Sequence, residues 1–262
     1  MRIKPKKSLG QNFLIDRNVL RKIISSLELK PTDTFLEIGA GRAEASLLIA
    51  PFIHRFYAVE LDKRLIPILS ERLKDYKNVS IINKDILKFN LKESLLHKQK
   101  IKVFGNIPYY ISTPIIEYLI KNKAFIEEAF ITVQKDFALR LVASPGSKEY
   151  GSLSIFLQYF ALPKVVMHIS RGSFYPVPKV DSTLLHLKFL ERPKVKVKNQ
   201  ELFFRIVRSA FTQRRKRLRN SLKKVVEREK LEGFLLQRSK GINLRPEELP
   251  LEDFASLANS IS

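Results

Sequence analysis

Residues 106–110 read Asn-Ile-Pro-Tyr-Tyr and close an apolar run that contains Ile101, Val103 and Phe104. They combine an amide, a backbone held open by proline and an aromatic face. That set suits methyl transfer to an aromatic amine such as adenine N6. The lone pair of such an amine is delocalised into its ring, so the nitrogen is a poor nucleophile. Two acceptors on its hydrogens favour a pyramidal nitrogen and localise the lone pair. The side-chain oxygen of Asn106 and the carbonyl of Ile107 can be those acceptors. Pro108 fixes the turn that exposes the carbonyl, and Tyr109 offers a face for the base. No general base need ionise first, because the proton becomes acidic once the new bond forms. The remaining work is positioning. The plainer reading is an Asn-Pro turn with core tyrosines.

A second aromatic wall is offered by SFYPVPKVDS (173–182), where two prolines stiffen an extended segment around Phe174. An aromatic on each side can clamp a flipped or unpaired base. The other half of a transfer site lies upstream. Glu37-Ile38-Gly39-Ala40-Gly41 closes an apolar strand, and glycines there let a ligand approach the backbone. Glu60 ends the next strand, where a carboxylate can accept both hydroxyls of a ribose. Asp85 follows the third strand, within reach of an adenine amino group. A nicotinamide dehydrogenase shares the ribose logic, but its glycine fingerprint requires Gly or Ala at a position occupied here by Glu44. A ligand without phosphates fits better, and S-adenosylmethionine is one.

These residues need a scaffold of alternating strands and helices. Asp16 can cap a helix whose apolar face is Val19, Leu20, Ile23, Ile24 and Leu27. Strands are expected at 34–38, 56–61, 79–83, 101–106 and 129–134. Helices are expected after the glycine turn to about Pro51, over 63–73, from Thr113-Pro114, and from Asp136 to Ala143. The alternation predicts an α/β fold with a doubly wound, mostly parallel sheet. SPGSKEYGS (144–152) reads as a loop, and STLLHLKFL (182–190) as a late strand in a hairpin with KVVMHIS (164–170). Beyond ERPKVKVKNQ (191–200) the periodicity is helical throughout. A boundary near 190 separates a first domain, 1–190, from a basic helical domain, 191–262.

The chain of 262 residues carries 48 Lys+Arg against 26 Asp+Glu, a net charge of +22. Such a field draws in polyanions and points to a nucleic-acid partner. The charge is densest from residue 191 on, with 18 Lys+Arg against 9 Asp+Glu. Arg214, Arg215, Lys216, Arg217 and Arg219 fall together on a predicted helix, with Arg215 and Arg219 one turn apart. Contacts of this kind hold phosphates and do not read sequence. Lys4, Lys6 and Lys7 can extend the track; a solvated helix face is the alternative. There is no cysteine, which excludes disulfides and thiolate chemistry, and the four His lack metal-ligand spacing. No run is long enough to span a membrane and no signal core follows the basic N-terminus, so a cytoplasmic protein without bound metal is expected.

Five segments, KKSLGQNFLID (6–16), FLEIGAG, NIPYYISTPII, FYPVPKVDS and FTQRRKRLRNSL (211–222), together resemble the ribosomal RNA adenine N6,N6-dimethyltransferases over nearly the whole chain. The resemblance is to the small-subunit, KsgA-type branch, which dimethylates two adjacent adenines in a hairpin loop of small-subunit rRNA. The Erm-type enzymes share the first three motifs and act on large-subunit rRNA. The resemblance implies a Rossmann-like methyltransferase sheet with a smaller all-helical C-terminal domain, and S-adenosylmethionine as cofactor. It implies that Asn12 and Leu14 line the cofactor pocket with Gly39, Gly41, Glu60, Asp85 and Asn106, and that Asn106 sits between cofactor and base. It also implies rRNA or a small-subunit precursor as partner, a role in subunit biogenesis and a monomer. Ala43 stands where the family often has a third glycine and is expected at the pocket mouth; Asp136 replaces a usual Glu. A non-catalytic RNA- or DNA-binding factor on the same fold stays open beside the enzyme.

Overall fold

A computed structural model describes residues 3–94, 99–213, 216–238, 241 and 243–262. In chain order the elements begin with β1 (Phe13–Leu14), α1 (Arg17–Ser26), β2 (Thr34–Ile38), α2 (Ser46–Ile49) and β3 (Arg55–Glu60). Next come α3 (Ile66–Leu73), β4 (Val79–Asn83), α4 (Leu91–Ser94), β5 (Ile101–Asn106), α5 (Ser112–Lys121), β6 (Ile126–Gln134) and α6 (Lys135–Val142). Then follow α7 (Ser152–Phe160), β7 (Ala161–Ile169), β8 (Phe174–Tyr175) and β9 (Ser182–Phe189). The last elements are α8 (Gln200–Phe211), α9 (Leu218–Leu222), α10 (Arg228–Gln237) and α11 (Leu251–Ser260).

Strand β2 is buried at all five positions and β3 at its last five. A strand covered on both faces has no reason to alternate, which is why TFLEI and FYAVE read as nearly continuous apolar runs. The seven-stranded sheet has the order β4-β3-β2-β5-β6-β9-β7. The first five strands are parallel, and β9 closes antiparallel onto β6 with Thr132 opposite Leu184. The chain leaves β2 toward β3 and β4, then returns to β5 on the other side of β2. Strand order therefore reverses between β2 and β5, and a crevice opens at their carboxyl ends. That seam is tight. A Cβ on Gly105 would lie 2.7 Å from Ile107 Cδ1 and 3.1 Å from Ile38 Cβ.

The Asp16 side chain caps α1, accepting from the Asn18 and Val19 amides, and Leu20, Ile23 and Leu27 are buried beneath. The helix expected to run to Pro51 is shorter: α2 ends at Ile49 and a 3-10 turn carries the chain to Phe52, since proline offers no N–H to continue it. Pro114 is the third residue of α5, still in the first turn where its missing donor is unused. Helix α7 is one to which the sequence reading assigns no element. Ser154, Ile155, Leu157, Tyr159 and Phe160 of it are buried, so no single polar stripe marks its period.

The chain forms two compact units. One holds residues up to Ala138 and Pro163–Glu191; the other holds Leu139–Leu162 and Arg192–Ser262. The sequence reading assigned 139–162 to the first domain. Aromatic packing explains the difference: Tyr159 lies 5.2 Å from Phe203, and Phe156 lies 5.5 Å from Phe204, ring centre to ring centre. From 192 onward every described element is helical. The helix expected across 214–219 is not continuous. Helix α8 ends at Phe211, Arg217 is extended and α9 begins at Leu218. Lys216 therefore lies outside a helix and Arg219 inside α9, while Arg214 and Arg215 fall outside the described residues.

Candidate active site

The carboxyl ends of β2, β3 and β5 and the segment around β1 form an open cleft. Asn12, Gly39, Gly41, Glu60, Asp85, Asn106, Ile107, Pro108, Tyr109 and Phe174 all line it. Leu14 does not. It is buried in the core beside Phe174: β1 pairs with β8, Leu14 opposite Phe174 and Phe13 opposite Tyr175, and side chains alternate along the strand so that Phe13 lines the cleft and Leu14 does not. Directly opposed residues share a face, and the Leu14 face turns inward. Ala43, expected at the mouth, is fully buried with φ of +64°.

The turn after β2 brings backbone rather than side chains to the cleft. Gly39 and Gly41 have φ of +75° and +60°, a conformation that favours glycine. Gly39 N donates to the Val59 carbonyl at 2.8 Å, and Gly41 N donates to Glu60 Oε2 at 2.8 Å. Glu60 Oε1 accepts from Asp62 N at 2.7 Å. Each carboxylate oxygen thus spends one lone pair on the backbone and keeps another for a ligand. Burial raises the pKa of Glu60, and backbone hydrogen bonds, led by those from Asp62 and Gly41, oppose that rise. Asp85 accepts from Leu87 N through Oδ1 at 3.0 Å, leaving Oδ2 without a protein partner among the described residues.

Glu37 lies lower, on β2, and is not part of the lining. Its Oε2 accepts from Ser46 Oγ. Burial, opposed by that bond and reinforced by the charge of Glu60, pushes its carboxyl up to about 8. Glu44 forms an ion pair with Arg72 at 2.6 Å and is also absent from the lining. Its charge is therefore met locally, and the case against a pyrophosphate rests on the cleft itself. Among the lining residues, Glu60 and Asp85 face one cation, Lys84. That balance gives the cleft a negative bias, which suits a ligand carrying positive charge.

Asn106, at the end of β5, donates through Nδ2 to the Asn12 carbonyl at 2.8 Å. Its Oδ1 is left without a protein partner among the described residues. Ile107 N donates to the Thr132 carbonyl at 3.1 Å, and the Ile107 carbonyl likewise has no described partner. The Tyr109 hydroxyl lies 2.8 Å from Ser182 Oγ, which holds the ring in place, and burial raises its pKa. Phe174 is only 1% exposed. It forms a wall from within the core and does not stand free as a clamp.

The segment before α1 straps across this site. Arg42 Nη2 donates to the Ile3 carbonyl at 2.7 Å and its guanidinium covers the Phe13 ring at 4.4 Å. Gln11 Nε2 donates to Asp62 Oδ2 at 2.9 Å. Asp62 is held down to about 2, chiefly by its hydrogen bonds with Arg64. Lys6 and Lys7 are exposed on the same segment. Sequence reasoning missed Gln11, Phe13 and Tyr110 as lining residues, although each lies inside a motif it quoted. It had no signal for Arg42 or Asp62, whose partners are 39 and 51 positions away.

The family model for ribosomal RNA adenine dimethylase matches residues 2–262. The chain belongs to that family. It is 43% identical over 256 residues to the ribosomal RNA small subunit methyltransferase A of Clostridium botulinum (strain Okra / Type B1), covering 97% of this chain and 93% of that one. Among solved structures it resembles the 23S rRNA methyltransferase ErmE with a TM-score of 0.77 and 25% identity, over 95% of this chain and 99% of that one. It also resembles a dimethyladenosine transferase from Plasmodium falciparum, with a TM-score of 0.77 and 26% identity over 94% and 95%. The α/β fold read from the strand alternation, and the methyltransferase fold implied by the resemblance, are thus met in these solved structures.

Proposed function

We propose that this protein uses S-adenosylmethionine to dimethylate N6 of two adjacent adenines in a hairpin loop of small-subunit rRNA, as a cytoplasmic monomer acting during subunit biogenesis. The observation that carries the reading is Asn106: its amide N–H is engaged by the Asn12 carbonyl, so its oxygen remains for the substrate amine. The 43% identity to a small subunit methyltransferase supports the choice of RNA.

The cofactor supplies an activated methyl group on sulfur; Glu60, Asp85, Asn12 and the backbone at Gly39 and Gly41 would hold it. Asn106 Oδ1 and the Ile107 carbonyl accept the two hydrogens of the unmodified adenine amine and orient its lone pair; after the first transfer one of them accepts the single hydrogen left, and each transfer releases one amine proton to solvent. Neither acceptor ionises. They act by orientation and by stabilising the charge that develops on nitrogen. Tyr109, fixed through Ser182, stacks the base, with Phe174 behind it. Lys6, Lys7, Lys216, Arg219, Arg214 and Arg215 contribute phosphate contacts. The first unit carries the chemistry and the basic helical unit carries RNA contacts.

The test is mass spectrometry of rRNA from a strain lacking the protein, with purified protein added back. Loss and recovery of dimethyladenine in small-subunit rRNA are expected. Loss from large-subunit rRNA would move the protein to the Erm-type branch, and no change in either would leave a non-catalytic RNA-binding role.

A further inference from the structure

Tyr109 and Tyr110 are neighbours in the chain with opposite surroundings. Tyr109 is half-buried and bonded to Ser182, whereas Tyr110 is 60% exposed and its hydroxyl has no partner among the described residues. A single exposed aromatic is ordinary. Tyr110 differs in that it lines the cleft and rests on a built support. Gly10, with φ of +58°, passes so close that a Cβ there would lie 3.1 Å from both Cδ1 and Cε1 of the ring. Bare backbone thus lies against the ring while most of its surface faces solvent.

The support is tied to the acceptor. Gly10 N donates to the Lys7 carbonyl at 3.0 Å, and Asn12 Nδ2 donates to the Gly10 carbonyl at 3.3 Å. Asn12 in turn receives the Asn106 amide. One short stretch therefore positions both the exposed ring and the atom that meets the substrate amine. Lys6 and Lys7 are exposed beside the Gly10 turn. A held aromatic face with adjacent cations matches one nucleotide, base on ring and phosphate on lysine. It is too small for a protein partner.

We propose that Tyr110 is the platform on which one adenine of the target pair stacks while the other occupies the cleft, an inference that rests on the reading of the site given above. Tyr110 is then a positioning residue, and it acts in one direction along the RNA. Only the neighbour on one side of the adenine in the cleft can reach it.

The test uses small subunits reconstituted with rRNA in which each adenine of the pair is replaced, in turn, by an abasic nucleotide. Transfer to the remaining adenine is measured as kcat/KM. Wild-type protein on intact RNA is measured first; absence of transfer there defeats the parent reading and this one with it. With transfer established, one abasic RNA should lose roughly 5- to 150-fold, the range for removing one stacked base, and the other should lose much less. Tyr110→Ala should show a loss of that size on intact RNA and no further loss on the sensitive abasic RNA. Tyr110→Phe keeps the ring and should stay within about threefold of wild type. If wild type is indifferent to both abasic positions, the platform does not exist, whatever the variants do. If Tyr110→Ala is as sensitive as wild type to the abasic position, the ring serves the fold and not the RNA.

Discussion

Replacing Glu60 with Gln alters one atom and separates two duties of the carboxylate. In the protein its oxygens accept from Gly41 N at 2.8 Å and Asp62 N at 2.7 Å. An amide has one oxygen, so its NH2 group must face one of these N–H groups, donor against donor. One buried N–H is left unpaired, at a cost of about 1–3 kcal/mol. Removal of a buried carboxylate whose pKa burial raises offsets part of that cost. Folding should therefore weaken by no more than about 2 kcal/mol. Ligand binding has no such offset. Hydrogen bonds from ribose hydroxyls to a charged acceptor are worth about 1.5–3 kcal/mol. Losing that contribution lowers S-adenosylmethionine affinity by roughly 10- to 150-fold. Calorimetric titration of the folded variant near pH 7, beside a denaturant melt, reads both numbers. Affinity within threefold of wild type in a folded Glu60→Gln protein would refute the assignment of Glu60 to the ribose.

Asn106→Ala should abolish methyl transfer and leave rRNA affinity within a few-fold, since the amide meets the amine and not phosphate; filter binding beside a transfer assay separates the two, and normal turnover would remove the lone-pair argument. Glu37→Gln should stabilise the fold increasingly as pH rises. The folded carboxyl keeps its proton up to about 8 against an ordinary 4.5, so wild type loses stability between those values by up to about 1.4 kcal/mol per pH unit. Melts at pH 4 and pH 8 should show the gap opening, and a constant gap would mean that Glu37 is not held protonated. Replacing Arg215 and Arg219 with Gln should flatten the salt dependence of RNA binding by about 0.7 to 0.9 in log–log slope per lost contact, with S-adenosylmethionine affinity unchanged. Coincident slopes in a folded double variant would reduce the cluster to a solvated face.

Most of the first unit was legible because its central strands β2, β3 and β5 are almost wholly buried and several strand ends carry polar residues. Glu60, Asp85 and Asn106 are polar groups at the ends of apolar runs, and the sheet brings their strands to one cleft. What escaped was set by tertiary pairing. The partnership of Phe13–Leu14 with Phe174–Tyr175 joins two-residue strands about 160 positions apart and leaves no periodic trace. It turns Leu14 into core and buries Phe174, which local sequence presented as a free clamp. Helix α7 escaped for the opposite reason: it is apolar on too many sides to show a period. The glycine turn does bring backbone to the cleft wall, but Glu44, taken as a charge aimed at the ligand, is matched instead by Arg72.

The threading of the chain through its two units has a consequence during synthesis. Residues 139–162 belong to the helical unit but are made before β9, which sits inside the sheet of the first unit between β6 and β7. Phe156 and Phe160 must wait for Phe204, 44 residues beyond Phe160, before their contacts with it exist. At about 5–20 residues per second this is an interval of roughly two to nine seconds. During it the nascent chain carries an aromatic helix without the Phe203 and Phe204 rings that it packs on in the finished protein. Chaperone capture on the ribosome should therefore peak between the emergence of residue 160 and that of α8. A fragment that stops near 190 should keep that peak indefinitely and aggregate, even though it contains every strand of the sheet.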